Sequence, residues 1–222
     1  MAFVAYPSRA ALAAGLAEVI AAELRSALAK GAATLSVPGG TTPGPVFDAL
    51  SGMDLDWPRV AVLLNDERWV DEANPRSNTR LLRERLFVNH AATARLLPLH
   101  APTATPEESL DTLAMGILPH LPITVLLLGM GADMHTASLF PGADKLAQAL
   151  ASNAPVLMAV RAEAAGEPRI TLSAPVLKQA RHIHILITGP EKRAALERAR
   201  GLPPLQAPIR VVLDQATVHW AD

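Results

Sequence analysis

His135 stands on a loop that carries two glycines, Gly129-Met130-Gly131-Ala132-Asp133-Met134-His135-Thr136, directly after the most apolar run of the chain. An imidazole ionises near pH ~6.5, which suits proton transfer at neutral pH. Asp133, two residues earlier, is placed to orient the ring, which makes His135 the leading candidate for a general base. Ser138 follows in no Gly-x-Ser-x-Gly elbow and is not read as a nucleophile. Read alone, a loop histidine fits an exposed or structural role just as well.

Other positions suit an anion. Gly39-Gly40-Thr41-Thr42, between a short apolar run and a helix, offers close backbone approach, N–H donors, two hydroxyls and a helix N-terminus, a combination that fits a phosphate group. The segment lacks the lysine of a P-loop and the third-glycine spacing of a dinucleotide fingerprint, so neither ATP nor NAD is indicated. An ordinary β–α turn is the alternative. Arg68 lies among Asp66, Glu67 and Asp71, which are expected either to aim its guanidinium at a phosphate or oxyanion or to form a surface ion-pair cluster with it. Asp66 and Glu67 are not read as a carboxylate pair, because neighbours in an extended segment point to opposite sides.

Lys192 opens a helix after Gly189-Pro190 and faces either an anion or solvent; Arg169, before Ile170-Thr171-Leu172, is equally open. His182 and His184 share one strand face without a third ligand nearby, so they are read as structural and no metal is expected. His90, His100, His120 and His219 offer no constellation.

These residues need a frame. Apolar spacing predicts a helix over 8–30 stopped at Gly31, and shorter helices at about 45–50, 77–87, 105–120, 174–180 and 191–200, with a capping box at Thr105-Pro106-Glu107-Glu108. Short apolar runs at 33–37, 60–64, 123–128, 156–160, 183–188 and 209–213 predict buried strands. The alternation predicts an α/β fold, a doubly wound, mostly parallel sheet with helices on both faces, in one domain over 1–222. Ligands of such sheets bind beyond the carboxyl ends of the strands. Segments 39–43, 66–68, 129–138 and 189–192 each follow a predicted strand and are therefore expected to meet in one cleft. Residues 161–169, with Ala164-Ala165-Gly166 and Pro168, read as a loop and a candidate flap.

Of the 222 residues, 50% are apolar, ample for a buried core, and 20 Lys+Arg against 21 Asp+Glu leave a net charge of −1. That balance excludes a polyanion such as nucleic acid as the natural partner. The absence of cysteine excludes disulfides, thiolate metal sites and a catalytic thiol, and points to the cytoplasm. The amino terminus lacks the apolar core of a signal peptide, and no apolar run approaches the ~20 residues of a membrane span, so no membrane partner is expected. A monomer is the expected state.

Taken in chain order, Gly39-Gly40-Thr41-Thr42-Pro43, Asp66-Glu67-Arg68, Ser77-Asn78, Gly129-Met130-Gly131-Ala132-Asp133-Met134-His135-Thr136-Ala137-Ser138-Leu139-Phe140-Pro141, Pro168-Arg169-Ile170-Thr171-Leu172 and residues 189–192 resemble the glucosamine-6-phosphate isomerase/6-phosphogluconolactonase family, and its lactonase branch in particular. The resemblance implies the sheet of glucosamine-6-phosphate deaminase. It also implies hydrolysis of a small phosphorylated sugar lactone, 6-phosphoglucono-δ-lactone, to 6-phosphogluconate in the oxidative pentose phosphate pathway, with no cofactor and no metal. On it, His135 is the general base beside Asp133, and Arg68 meets the oxyanion or the phosphate. Gly39, Gly40, Thr41, Thr42, Arg169 and Lys192 hold the phosphate, and Asn78 contacts sugar hydroxyls.

The chain departs from the family pattern where glycine is usual between the aspartate and histidine, carrying Met134. If that glycine has positive φ, Met134 is strained or the loop shifts. An isomerase or deaminase of the same fold is the enzymatic alternative, but those carry an acidic residue where this chain continues Ser138-Leu139-Phe140-Pro141. A non-catalytic sugar-phosphate sensor is the other, although no length is spare here for a DNA-binding module.

Overall fold

Five consecutive buried residues in Ala33–Val37 (β2), and five more in Val60–Leu64 (β3), leave neither strand a solvent face, so both must lie inside a sheet covered on two sides. The computed structural model, which describes residues 1–163 and 165–222, places them there. Its main sheet has seven strands, running from edge to edge as Ala2–Ala5 (β1), Thr217–Ala221 (β10), His182–Thr188 (β9), Val125–Gly129 (β6), β2, β3 and Arg95–Leu97 (β5). Every neighbouring pair is parallel. A second, antiparallel sheet pairs Asp66–Arg68 (β4) with Arg169–Leu172 (β8), and β8 with Leu157–Val160 (β7).

The helices follow from the same spacing arguments. Arg9–Leu28 (α1) is capped by the Ser8 hydroxyl and buries Leu12, Leu16, Ile20 and Leu24 along one stripe. Gly44–Ser51 (α2), Asn78–Arg85 (α3), Leu110–Ile117 (α4), Leu146–Leu150 (α5), Ala174–Lys178 (α6), Gly189–Ala199 (α7) and Arg210–Leu213 (α8) complete the set. A single hydrophobic core runs from Leu12 to Ala221 in sequence. No helix among the described residues is long and apolar enough to cross a membrane.

Three sequence expectations are corrected. Residues 209–213 are not a strand: Arg210–Leu213 is helical, entered through successive turns from Pro203, and the true last strand is Thr217–Ala221. A five-residue run, apolar except for Arg210, carries no period long enough to separate helix from strand. The helix expected over 105–120 is a Pro106 3₁₀ turn, a short α-helix at Leu110–Ile117 and another 3₁₀ turn at Pro119. Residues 161–168 connect the antiparallel strands β7 and β8, and Arg169, expected in the flap, begins β8; Ala164 lies outside the described residues.

The chain orders its strands in two directions from the centre. From β2 it proceeds through β3 to β5 on one side; from β6, adjacent to β2, it proceeds through β9 to β10, beside the edge strand β1. The loops that leave β2 and β6 therefore diverge at a switch point, which opens a crevice at the carboxyl end of the sheet. Asn65, fully buried, pins that point. Its side chain accepts from Ser36 Oγ at 2.6 Å and donates to the Leu127 carbonyl at 2.7 Å. Its backbone N–H donates to Val37 and its carbonyl accepts from Leu172, which joins β8 to the main sheet.

A second polar chain crosses the sheet away from the crevice. Glu23 on α1 lies 2.8 Å from His184 Nε2, His184 Nδ1 lies 3.0 Å from His219 Nε2, and His219 Nδ1 lies 2.9 Å from Tyr6 Oη. His182 adds a contact to Glu23 at 3.2 Å. His219 thus belongs to a constellation, one spread over four elements and invisible to local spacing. With Glu23 ionised and both buried rings neutral, donors must run from Tyr6 to His219 to His184 to Glu23. Burial, aided by the neighbouring His184, pushes the His219 pKa from 6.5 down to about 4. Protonation therefore favours the unfolded chain, and the contribution of His219 to stability, complete above pH 6.5, is lost as pH falls toward 4. Thermal unfolding followed between pH 7 and 4 should show this fall, and His219→Gln should reduce its slope.

Candidate active site

A cleft of about 400 Å³ occupies the switch point, lined by the loop after β2, by β4, β8 and the loop after β6, and by the start of α7. It gathers Gly39, Gly40, Thr41, Thr42, Arg68, His135 and Lys192 from the four segments expected to meet, and adds Asn78 from α3 and Arg169 from β8. Asp133 stands behind His135 rather than on the wall.

The histidine loop is held by its own short-range bonds. Gly131 N–H donates to the His135 carbonyl at 3.0 Å, Met134 N–H to the Gly131 carbonyl at 2.9 Å, and Thr136 Oγ1 to the Gly129 carbonyl at 2.9 Å. His135 Nδ1 lies 2.5 Å from Asp133 Oδ1. Burial works to raise the Asp133 pKa, but the hydrogen bond and charge of His135, with backbone donors, outweigh it and hold the carboxyl below its usual value. An ionised carboxylate only accepts, so Nδ1 carries a proton, and in the neutral imidazole Nε2 is then the nitrogen with the lone pair. Phe140 packs against the imidazole, ring centroids 4.3 Å apart.

Of the two expectations for Met134, the structure shows the strained backbone. That residue adopts φ 67°, its carbonyl accepts from Ile209 N–H at 3.1 Å, and its side chain packs against the core. The strain of a left-handed non-glycine residue, ~1–2 kcal/mol, is borne in place. Gly131 is needed for a different reason: a Cβ there would lie 2.3 Å from His135 Nδ1 and 2.4 Å from Asp133 Oδ1.

Across the cleft, Gly40 turns the β2 loop at φ 87°, and among the described residues the N–H groups of Gly39, Gly40, Thr41 and Thr42 donate to no other group of the chain. Lys192, in the first turn of α7, has its pKa lowered by burial, with Glu191 and Asp133 drawing it back up. The cation therefore faces a desolvated space in which an anion would be its natural partner.

Arg68 and Arg169 occupy directly opposed positions of the β4–β8 ladder. Arg169 is buried; it donates to the Ala165 carbonyl at 3.0 Å, lies 3.8 Å from Asp66 and from Glu167, and stands over the Phe140 ring. Burial pushes its pKa down, against the pull of Asp66. The acidic neighbours expected to aim Arg68 do not do so. Arg68 Nη1 instead donates to the Arg76 carbonyl at 2.5 Å, Asp66 accepts from Ser138 Oγ at 2.5 Å, and Glu67 turns into the protein. Alternation along β4 separates the two carboxylates, so Asp66 lines the cleft while Glu67 does not. The Nε atoms of Arg68 and Arg169 are buried without a hydrogen-bond partner among the described residues, leaving two donors free. Asp66 and Phe140 are wall residues that sequence reasoning did not assign. His182 and His184 lie in the chain to Glu23 instead, and no group of three or more His, Cys, Asp or Glu side chains able to hold a metal occurs among the described residues.

Residues 7–220 match the family described as glucosamine-6-phosphate isomerases/6-phosphogluconolactonase. The chain belongs to this family. A relative within it, the 6-phosphogluconolactonase of Mesorhizobium japonicum, is 43% identical over 225 residues, spanning 98% of this chain and 94% of its own. The crystal structure of a 6-phosphogluconolactonase from Shewanella baltica OS155 superposes with a TM-score of 0.97 at 35% identity, covering 100% of this chain and 98% of that one. A monomeric glucosamine-6-phosphate deaminase matches at a TM-score of 0.82 and 15% identity over 100% of this chain and 97% of its own, a likeness of fold alone. The family's doubly wound sheet is thus the one observed here.

The short His135–Asp133 contact should give a strongly downfield Nδ1–H proton resonance. Gly131→Ala, by forcing the two side chains apart, should abolish it while leaving the fold intact; a retained resonance would show that the loop accommodates the added methyl group.

Proposed function

We propose that this protein hydrolyses 6-phosphoglucono-δ-lactone to 6-phosphogluconate, acting in the cytoplasm as a single-domain, monomeric enzyme of the oxidative pentose phosphate pathway. The observation that carries this reading is the His135–Asp133 pair, with a free Nε2, opening on the same cleft as a loop of unengaged N–H groups and the cations Lys192 and Arg169. The family membership and the relatives named 6-phosphogluconolactonase support the same substrate.

In this mechanism the phosphate is held by Gly39, Gly40, Thr41 and Thr42, with Lys192 and Arg169 supplying charge. Binding energy from this remote group orients the lactone carbonyl over His135. His135 Nε2 takes a proton from a water molecule as its oxygen attacks the carbonyl, and Asp133 stabilises the imidazolium that forms. Arg68, with an unengaged Nε–H, meets the negative charge on the former carbonyl oxygen, a role worth ~3 kcal/mol in comparable sites. Collapse of the tetrahedral intermediate breaks the ring ester bond, and the imidazolium returns the proton to the departing ring oxygen. The acid product then ionises in solution. No metal or organic cofactor enters these steps. An isomerase or deaminase would carry an acidic residue in the segment after His135 itself, whereas here Thr136–Pro141 contains none and presents the Phe140 ring to the imidazole.

Lactone hydrolysis above the spontaneous rate, followed by proton release, tests the reading. His135→Ala should lose ~10²–10⁴-fold in kcat, and an unchanged rate would remove His135 as the base. Lys192→Ala should raise KM with little effect on kcat. Met134→Gly should leave kcat unchanged, because the loop already holds His135 against Asp133; a large gain would show that Met134 distorts it.

A further inference from the structure

Among the described residues Glu67 is the most heavily engaged carboxylate, yet its own side chain does not line the cleft. Its side chain is fully buried. Oε1 accepts from the backbone N–H groups of Arg68 and Asn78, both at 2.8 Å. Oε2 accepts from Thr79 N–H at 2.7 Å, Thr79 Oγ1 at 2.7 Å and Ser77 Oγ at 3.2 Å. Placed at the N-terminus of α3, the charge is balanced by donors and by the helix dipole, and both ends of the connection between β4 and α3 are fixed to one group.

Asn78 extends that anchorage toward the cleft. Its Nδ2 donates to the Asp66 carbonyl at 3.0 Å, and its amide lies flat against the Cα of Gly39, so close that a Cβ at position 39 would sit 1.9 Å from Oδ1. Gly39 is the first glycine of the loop whose N–H groups are unengaged. A continuous line of contacts therefore runs from a buried carboxylate on β4, through the first turn of α3, to the backbone that faces the anion.

We propose that Glu67 and Asn78 are positioning residues for the phosphate loop: Glu67 sets the place of Asn78, and Asn78 is the seat that holds Gly39–Thr42 in its anion-binding conformation. This rests on the loop's phosphate-binding role proposed above. Glu67 thereby acts on phosphate affinity without contacting substrate. Glu67→Gln would set an NH₂ group against N–H and O–H donors that now meet only acceptors, releasing the α3 turn.

Steady-state kinetics with the phosphorylated lactone, and direct titration with inorganic phosphate, test the proposal in parallel. Glu67→Gln and Asn78→Ala should each raise KM and the phosphate dissociation constant together by about tenfold, with kcat nearly unchanged. Because one acts through the other, the double variant should be no worse than Asn78→Ala alone. Gly39→Ala should weaken phosphate binding in the wild-type background and do so less in the Asn78→Ala background, where the collision is gone. Should Glu67→Gln fail to fold, the Gly39–Asn78 cycle decides. Folded variants with unchanged KM and phosphate affinity, a loss confined to kcat, or additive effects would overturn the proposal. A wild-type protein that binds phosphate but hydrolyses no lactone would sink the functional reading and leave this one standing.

Discussion

Asn65 is the point on which the site depends. It sits where the chain leaves a strand that is buried on both faces, and its amide and backbone must find partners in a place water cannot reach. The partners it finds are Ser36 and Val37 on β2, Leu127 on β6 and Leu172 on β8. One residue thus ties together the two central strands whose loops form opposite walls of the cleft and the small sheet that carries Arg68 and Arg169. A buried polar group with so many partners rigidifies because losing any one leaves an unsatisfied neighbour in a medium of low dielectric. The three walls are consequently held as one unit, which is the condition for catalytic and binding groups from distant parts of the chain to keep a fixed relation.

The main sheet was legible in the sequence wherever burial is complete. Ala33–Val37 and Val60–Leu64 match the predicted runs residue for residue, because a strand covered on both faces is built of apolar residues and small hydroxyls that find internal partners, as Thr34 and Ser36 do. The strands missed in the sequence lack that constraint. The edge strand Ala2–Ala5 is apolar but exposed along its length, the edge strand Arg95–Leu97 has three residues, and Thr217–Ala221, between β1 and β9, buries a histidine among its apolar neighbours. The second sheet was hidden for another reason: β4 and β8 are charged at the cleft and are defined by pairing with each other, which single-segment patterns do not report.

The same division holds in the site. Residues whose chemistry is local, such as the glycines and threonines of the β2 loop or the Asp133–His135 pair two positions apart, declared themselves by type and spacing. Residues whose partners are remote did not. Asp66 meets Ser138, Glu67 meets the start of α3, and His219 meets Tyr6, just after β1, and His184 on β9. The expected pairing of Arg68 with its sequence neighbours is absent because Asp66, Glu67 and Asp71 accept from Ser138, from backbone N–H groups and from Ala73 instead.

The opposed arginines of the β4–β8 ladder have a thermodynamic consequence for the protein without ligand. Like charges directly across an antiparallel pair repel, and Arg169 is buried with only distant carboxylates for company. The unliganded fold carries the desolvation of Arg169, together with a repulsion that Asp66 offsets, as a cost to its stability, and an anion bound beside the two arginines would reduce it. Tolerance of mutation elsewhere in the chain is then set partly by cellular substrate level: a variant weakened in its core survives when the cleft is filled and is lost when it is empty.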